Sequence, residues 1–241
     1  MTICKNCHNR FQGNYCNQCG QKATVKRIRR EFIFNDLQLG LFNIDSGMFF
    51  TIKELFTRPG YAIKDYIVGK RVGYFMPVSM LIVLSTIYSF LYHYLDIDLF
   101  YQTTNKFSED ERSMHLIKSL DGNYVYYVLM TLHVFSFSSW ILFKKKGYNF
   151  SEHFVLNTYA ASQRLVFHTV TLSILYVVPE EPQIRQLITR IQLIVDISLI
   201  GWCYFQFFKL KTITLIIKTV LSLGLSYLIL IILISILYYV L

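Results

Sequence analysis

Four cysteines near the start of the chain have the spacing of a metal site. Cys4, Cys7, Cys16 and Cys19 form two C-x2-C pairs separated by eight residues. Two such pairs allow backbone turns to wrap four thiolates around one tetrahedral Zn²⁺. Four thiolates complete the coordination sphere and leave no position for a reacting water, so the sequence predicts a structural zinc ion. The alternatives are disulfides or a redox-active C-x2-C pair.

The predicted location of the cysteines in the cytoplasm favours zinc over disulfides or a redox-active pair. The basic residues discussed below predict that the cysteines lie in the cytoplasm, where thiols stay reduced. His8 could replace a cysteine ligand, but four cysteines already suffice. The Gly-Asn pair at 13–14 lies between Phe11 and Tyr15 and predicts a β-hairpin across the spacer. Gly20 suits the close backbone turn of a zinc knuckle.

Ionisable side chains lie near the middle of long apolar stretches: His133, Arg164, His168 and Asp196. Such groups are costly inside a bilayer and by default indicate function. At about 1.5 Å per residue, both histidines and Asp196 fall at nearly the same depth. One interpretation is a polar site, with His168 and Asp196 paired, His133 as a second imidazole and Arg164 as an anion anchor. The other is helix–helix attachment, with Asp196 neutralised by Arg164 or hydrogen-bonded to His168.

No enzyme signature accompanies these residues. The sequence has no nucleotide-binding glycine loop, no G-x-S-x-G and no H-E-x-x-H among its six histidines. Glu152 and His153 resemble a carboxylate–imidazole couple, but adjacent residues do not face each other on a helix. We therefore predict no catalytic residue. A lipid-modifying enzyme using His153, His168 and Asp196 as acid and base is the least favoured of three functions.

Hydropathy indicates which elements must position these groups. The chain has 241 residues, of which 54% are hydrophobic and 17% aromatic. A helix crosses the hydrocarbon core with about 20 apolar residues. The third apolar stretch is the least clear, because it carries Arg164 and His168. The pattern predicts an all-α membrane protein with a five-helix transmembrane bundle at residues 74–95, 123–143, 155–178, 188–208 and 219–241.

The charge distribution predicts the orientation of this bundle. Residues 1–73 hold 12 Lys and Arg against 5 Asp and Glu, whereas residues 96–121 hold 3 against 6. Basic residues follow the second stretch, at Lys144–Lys146, and the fourth, at Lys209. If residues 155–178 did not cross, these two basic groups could not both be inside. The positive-inside rule therefore predicts five crossings of a bacterial inner membrane, with the N-terminus cytoplasmic and the C-terminus outside.

The net charge of +9 has a related explanation. Most of the excess basic residues lie at predicted cytoplasmic membrane edges, where they are expected to contact anionic lipid headgroups rather than nucleic acid. The first apolar stretch begins near residue 74, behind a polar segment, so we predict no secretory signal peptide. That stretch would itself direct insertion.

A basic, amphipathic segment at residues 26–73 precedes the first predicted span. Short helices are expected at 35–42, 47–56 and 61–71, with Arg58–Gly60 as a break. These helices suit the membrane interface, and a lid over the bundle is the alternative. The helix at 47–56 would place on one face Met48, Phe49, Ile52, Leu55 and Phe56, with Lys53 and Glu54 opposite.

Three motifs resemble a bacterial family of zinc-ribbon integral membrane proteins. They are YCNQCGQK at 15–22, RPG at 58–60 and GKRVGYFMP at 69–77. The family is known as a domain of unknown function, number 3667. The resemblance implies a membrane protein with an N-terminal zinc ribbon. It implies no reaction, and no catalytic residue is carried over.

These patterns together predict three parts: a zinc ribbon at 1–25, a juxtamembrane segment at 26–73 and a transmembrane bundle at 74–241. A closed metal site attached to a bundle predicts a membrane-anchored adaptor that recruits a cytoplasmic protein partner. A small transporter or channel that uses the four intramembrane polar residues is the alternative. Residues 1–25 are called the cysteine head below.

Overall fold

The computed structural model describes residues 1–29, 31, 47–95, 124–178 and 181–240. The predicted short helix at 35–42 and the acidic segment at 96–121 lie outside these residues. Most of the described residues are helical, and the paired strands belong to the cysteine head.

Two short strands and seven α-helices follow one another along the described part of the chain. β1 and β2 pair in antiparallel register, with Thr2 opposite Phe11. A 3-10 turn at Lys144–Lys146 joins the fourth helix to the fifth. The elements are β1 (Thr2–Ile3), β2 (Arg10–Phe11), α1 (Gly47–Thr57), α2 (Pro59–Val68), α3 (Pro77–Tyr94), α4 (Tyr124–Phe143), α5 (Phe150–Val177), α6 (Pro182–Phe208) and α7 (Thr212–Val240).

Local sequence signals set the beginnings and ends of these helices. Pro59 and Pro77 stand in the first turn of α2 and α3, where a missing N–H costs nothing. A capping box starts α5: the Asn149 side chain accepts from the Glu152 N–H at 2.9 Å, and the Glu152 carboxylate accepts from the Asn149 N–H at 2.9 Å. Gly69 ends α2 in the left-handed conformation, with φ at +119°.

α5 lies at the centre of the bundle, packed against α3, α4 and α6. Every residue from Ser151 to Gln163 is buried, on all sides of the helix. Because this half of α5 is surrounded by other parts of the protein, its polar side chains form hydrogen bonds within the bundle. The helix can therefore be central and still contain many polar residues.

Within the described residues, four helices, rather than the predicted five, are long and apolar enough to cross a membrane. The predicted third span, 155–178, lies in α5, which has 28 residues. Its length suffices, but none of its stretches of spanning length is as apolar as those of the other four helices, because Gln163, Arg164 and His168 lie near its middle. The multi-pass character follows from the remaining helices, whose apolar segments are Pro77–Tyr94, Val125–Lys146, Gln183–Phe208 and Thr212–Tyr239.

Basic residues gather at one end of the bundle. Lys218, near the start of α7, donates to the Leu142 carbonyl near the end of α4 at 2.7 Å. Phe208, at the end of α6, stacks on Phe143 with ring centroids 4.0 Å apart. The turn at Lys144–Lys146 and the α6–α7 connection thus share one end, which we call the basic end.

α1 and α2 pack against the bundle. The Gln163 side chain of α5 donates to the Leu55 carbonyl at 2.8 Å, and the Phe75 N–H donates to the Thr51 hydroxyl at 2.8 Å. At Gly60, a Cβ would lie 2.4 Å from the Cys203 carbonyl oxygen of α6. Only glycine allows α2 and α6 to come this close.

The predicted apolar face of residues 47–56 is divided in the structure. Leu55 is buried and Ile52 is half-buried, but Phe49 is 81% exposed and Phe56 is also exposed. Thr51, a polar residue, takes the buried position instead, because its hydroxyl binds the backbone before α3. Contact of the exposed aromatic side chains with lipid stays a prediction.

Candidate metal centre and buried polar cluster

Two similar backbone turns bring the cysteines of the head together. In each, the first cysteine carbonyl accepts from an N–H four residues on: Cys4 from His8 at 3.0 Å, and Cys16 from Gly20 at 2.9 Å. Both donors have positive φ, +61° at His8 and +74° at Gly20. The turns expose N–H groups toward the sulfurs, as a zinc knuckle requires.

The structure does not contain the β-hairpin that was predicted for the spacer between Cys7 and Cys16. Instead, each knuckle is closed by its own pairing: β1 with β2 around the first, and a bridge between Tyr15 and Lys22 around the second. Gly13, with φ at +111°, lies in the connection between the two. The spacer therefore links two knuckles rather than folding as one hairpin.

One sulfur from each of the four cysteines lies within 4.8 Å of the others. The Sγ atoms of Cys4 and Cys19 are 3.5 Å apart, as are those of Cys7 and Cys16. These distances exclude disulfides, whose sulfurs lie about 2.05 Å apart. They suit a tetrahedral ion with metal–sulfur bonds of about 2.3 Å. Four cysteines in this arrangement could bind a metal ion, and His8 is not part of the cluster.

The acidity of the thiols supports the same interpretation. Burial acts to raise the pKa of Cys16, but N–H groups of Cys19 and Gln18 and the Cys7 thiol lower it to about 6. The Asn9 N–H lowers the pKa of Cys7, yet burial and the neighbouring sulfurs raise it to about 12. Burial and the neighbouring sulfurs thus hold the pKa of Cys7 far above that of Cys16. A bound cation would stabilise all four thiolates.

The chain just after the cysteine head is attached to the basic end of the bundle. Arg27 forms a bidentate ion pair with Glu152 of α5, at 2.7 Å and 2.8 Å, and donates to the Gly147 carbonyl at 2.9 Å. The Glu152 carboxylate raises the pKa of Arg27. Ile28 is fully buried in the bundle core, and its carbonyl accepts from Asn149 at 3.0 Å.

The head itself touches the segment that leads into α3. The Arg71 N–H donates to the Gln21 side chain at 3.1 Å, and the Arg71 guanidinium donates to the Lys26 carbonyl at 3.0 Å. A Cβ at Gly69 would lie 2.9 Å from the Lys5 side chain. The head is therefore fixed on the bundle rather than tethered by a free linker.

The structure separates the adjacent residues Glu152 and His153. Glu152 turns toward Arg27, whereas the His153 imidazole contacts the Ser139 hydroxyl of α4 at 3.0 Å. From there a buried hydrogen-bond chain continues. Asn157 donates to Ser139 at 2.9 Å, and the Tyr204 hydroxyl of α6 donates to Asn157 at 2.7 Å.

Of the four predicted intramembrane residues, the structure brings two together. His168 Nε2 lies 2.9 Å and 3.0 Å from the two carboxylate oxygens of Asp196, which joins α5 to α6. Arg164 does not neutralise Asp196; its guanidinium lies over the Phe135 ring at 5.8 Å. His133 is exposed on α4 and contacts Phe154, so the predicted meeting of two histidines and Asp196 does not occur.

A cavity of about 300 Å³ lies between α4, α5, α6 and α7. Arg164 and His168 form part of its wall, with Tyr204 and Asn157 nearby. Apolar side chains make up most of the remainder: Val128, Leu132, Phe135, Leu165, Ile200 and Leu230. The cavity was not predicted from the sequence.

Several contacts around the candidate sites were not predicted, because the residues that form them are distant in the chain. Arg27 and Glu152 are 125 residues apart, and Asn157 and Tyr204 are 47 apart. A capping-box pattern, Asn149 followed by Glu152, was the one local signal near them. No spacing rule links residues on different helices.

Residues 45–89 match the model of a family described as a protein of unknown function (DUF3667). No curated protein and no solved structure matches the chain. The match confirms the resemblance to this family over α1, α2 and most of α3, including RPG and GKRVGYFMP, but not the bacterial or zinc-ribbon part of the prediction. The cysteine motif lies outside it, and the match assigns no activity.

The matched segment contains contacts that explain its motifs. Arg58 pairs with Glu54 and Asp65 at the α1–α2 turn, and Gly60 makes the close approach to α6 described above. Lys70 also pairs with Asp65, at 3.0 Å. The RPG motif therefore combines an ion-pair centre, a helix start and a glycine contact within three residues.

Proposed function

We propose that the protein is a membrane-anchored scaffold whose metal-bound cysteine head recruits a cytoplasmic protein partner. The observation that carries this proposal is the attachment of the head to the basic end through Arg27, Ile28 and Arg71. Attachment on one side leaves another side free, where Ile3 is 58% exposed and Tyr15 63% exposed. An exposed apolar surface rimmed by polar groups is typical of an interaction site.

Zinc is the metal that we propose for the head. Four sulfur ligands and tetrahedral spacing suit Zn²⁺, and a closed site of this kind stabilises a segment too small for its own core. The head fits this description, because the buried apolar cluster of the head consists of Phe11 and cysteine side chains and little else. Loss of the metal would unfold the partner surface.

We further propose that α5 is a fifth crossing, in a bacterial inner membrane with the cysteine head in the cytoplasm. The antiparallel contacts His168–Asp196 and Asn157–Tyr204 support this, because α5 leaves the basic end and α6 returns to it. At about 1.5 Å per residue, 28 residues extend about 42 Å, more than the hydrocarbon core. The basic end would then face the cytoplasm and anionic lipid headgroups, and α7 would end outside.

The test is affinity purification in mild detergent, with co-purifying proteins quantified by mass spectrometry. We expect Cys16→Ser with Cys19→Ser to remove the partner at equal amounts of bait. Cys203→Ala, in a buried cysteine of α6, and His168→Leu are expected to retain it. If the head variant retains every co-purifying protein, or if His168→Leu alone loses them, the scaffold proposal is wrong.

A small transporter or channel is the second candidate, and the half-buried His168–Asp196 pair favours it. A histidine–carboxylate pair between two crossing helices is a group that can take up and release a proton. We expect Asp196→Asn to abolish any pH-dependent solute or proton flux in proteoliposomes. Flux that is absent from the unmodified protein, or unchanged in the variant, would reject this candidate.

A further inference from the structure

Arg164 is the unusual residue of the cavity between α4, α5, α6 and α7. Its guanidinium makes no hydrogen bond to a described residue, and its Nε atom is buried without a partner. No carboxylate among the described residues forms an ion pair with it. A guanidinium in such surroundings is costly unless an anion or water compensates it.

Four other polar side chains of the cavity wall already make hydrogen bonds within the protein. The Tyr204 hydroxyl donates to Asn157, both hydrogens of the Asn157 amide are engaged, and His168 Nε2 contacts Asp196. The Thr131 hydroxyl donates to the Val128 carbonyl at 2.9 Å. Among the described residues of the wall, a ligand therefore meets the Arg164 guanidinium and few other available hydrogen-bonding groups, of which the Tyr127 hydroxyl is one.

We propose that this cavity binds an amphiphile with a single anionic group, a carboxylate or a phosphate, held by Arg164. The body of the ligand would lie against the apolar side chains of the wall, such as Leu132 and Ile200. Guanidinium binds both anions through parallel N–H donors. The proposal concerns binding alone and is independent of both functions proposed above.

The cavity volume limits the size of the bound part. A non-hydrogen atom with its hydrogens takes roughly the share of a water molecule in liquid, about 30 Å³. A cavity of about 300 Å³ therefore holds about ten such atoms. Octanoate, with eight carbons and two oxygens, is the matching probe.

The test measures binding of radiolabelled octanoate to the full chain in phosphatidylcholine nanodiscs by scintillation proximity. Octyl phosphate tests the other anion, and octanamide is the uncharged control. We expect saturable octanoate binding that octanamide does not displace. Displacement by octyl phosphate would show that the site also accepts a phosphate, and displacement by phosphatidylglycerol added to the disc would identify a lipid source. Displacement by neither would restrict the site to a carboxylate.

Substitutions locate the site. We expect Arg164→Gln to weaken binding at least about tenfold, and Arg164→Lys to retain part of it, because a charged hydrogen bond is removed in the first and replaced in the second. Arg190→Gln makes the same change of charge on an exposed arginine of α6 and should bind as the unmodified chain. Binding that is unsaturable, equal for octanamide, or unchanged in Arg164→Gln would overturn the proposal.

The unfolding temperature gives a second test, which distinguishes an arginine that binds a ligand from one that only stabilises the fold. Removing a charge that has no anionic partner among the described residues should raise the unfolding temperature of ligand-free Arg164→Gln relative to the unmodified protein. Octanoate should raise the unfolding temperature of the unmodified protein and leave that of the variant unchanged. A ligand-free variant that unfolds at a lower temperature would show that Arg164 stabilises the fold, which contradicts the proposal.

Discussion

The four cysteine sulfurs and the Arg164 guanidinium differ in how the chain supplies their partners. The sulfurs lie within 4.8 Å of one another because each pair is held by one local turn. A metal ion would compensate their charge. Arg164 has no such local partner, and its position depends on packing between helices. Local sites of the first kind can be predicted from spacing, and sites of the second kind cannot.

The first prediction concerns the metal. We expect the purified protein to contain one zinc ion per chain, and Cys16→Ser to contain almost none, because three thiolates no longer close the site. Elemental analysis measures this. A strong chelator should make four thiols reactive toward a thiol reagent, while Cys203 stays buried. A metal-free protein whose thiols react equally with and without chelator would contradict the assignment.

The second prediction compares one substitution at two histidines. His168→Leu leaves the Asp196 carboxylate without its partner and should lower the free energy of unfolding by about 1 to 2 kcal/mol. His133→Leu should change it by less than about 0.5 kcal/mol, because the His133 ring is exposed. Denaturant unfolding in detergent measures both. Equal effects at the two positions would mean that the pair is not formed.

The residue-scale predictions from sequence succeeded where the signal was local. Two C-x2-C pairs fixed which cysteines meet, since a tight turn needs only neighbouring residues. The contact between Arg27 and Glu152 could not be predicted from the sequence, because it depends on where the start of α5 lies relative to the end of the head. His133 and His168 looked equivalent by depth, and only the rotation of each helix separates them.

At the scale of elements, the contact between α2 and α6 depends on one glycine. Gly60 lies against the Cys203 carbonyl and the Phe207 N–H, and its own N–H donates to the Gln206 side chain at 3.1 Å. This contact holds the juxtamembrane helices to the bundle. The sequence predicted a break at Arg58–Gly60 but gave no reason for its glycine.

The third prediction tests that contact. Gly60→Ala should lower the free energy of unfolding by about 1 to 3 kcal/mol, because the new methyl group would overlap backbone atoms of α6. Gly201→Ala is the matched control, since nothing lies within 4 Å of its Cβ position and alanine favours a helix. Thermal unfolding compares them. A Gly60→Ala protein as stable as the control would contradict the packing.

The fourth prediction tests the attachment of the head. Arg27→Ala should speed hydrogen exchange at residues 22–29 several-fold, because the bidentate contact with Glu152 is lost. Arg29→Ala removes an exposed arginine two residues away and should leave exchange unchanged. Hydrogen-exchange mass spectrometry measures both. Equal exchange in the two variants would show that the ion pair does not hold the segment.

At the scale of the whole molecule, the basic end joins the cysteine head, the α4–α5 turn and the α6–α7 connection. Hydropathy predicted four of the long helices because lipid-facing helices are apolar along their length. Hydropathy indicated α5 less clearly, because a helix enclosed by α3, α4 and α6 can bury polar side chains such as Glu152, His153 and Asn157. Charge at the helix ends, rather than apolarity, supplied the argument for its crossing.

Cysteine labelling in right-side-out membrane vesicles tests the account most directly. Lys145→Cys and Glu181→Cys replace exposed residues at the two ends of α5. A membrane-impermeant maleimide is expected to label Glu181→Cys from outside and to leave Lys145→Cys unlabelled until the vesicles are opened. Labelling of both substituted positions from the same side would contradict a central crossing helix and a cytoplasmic head.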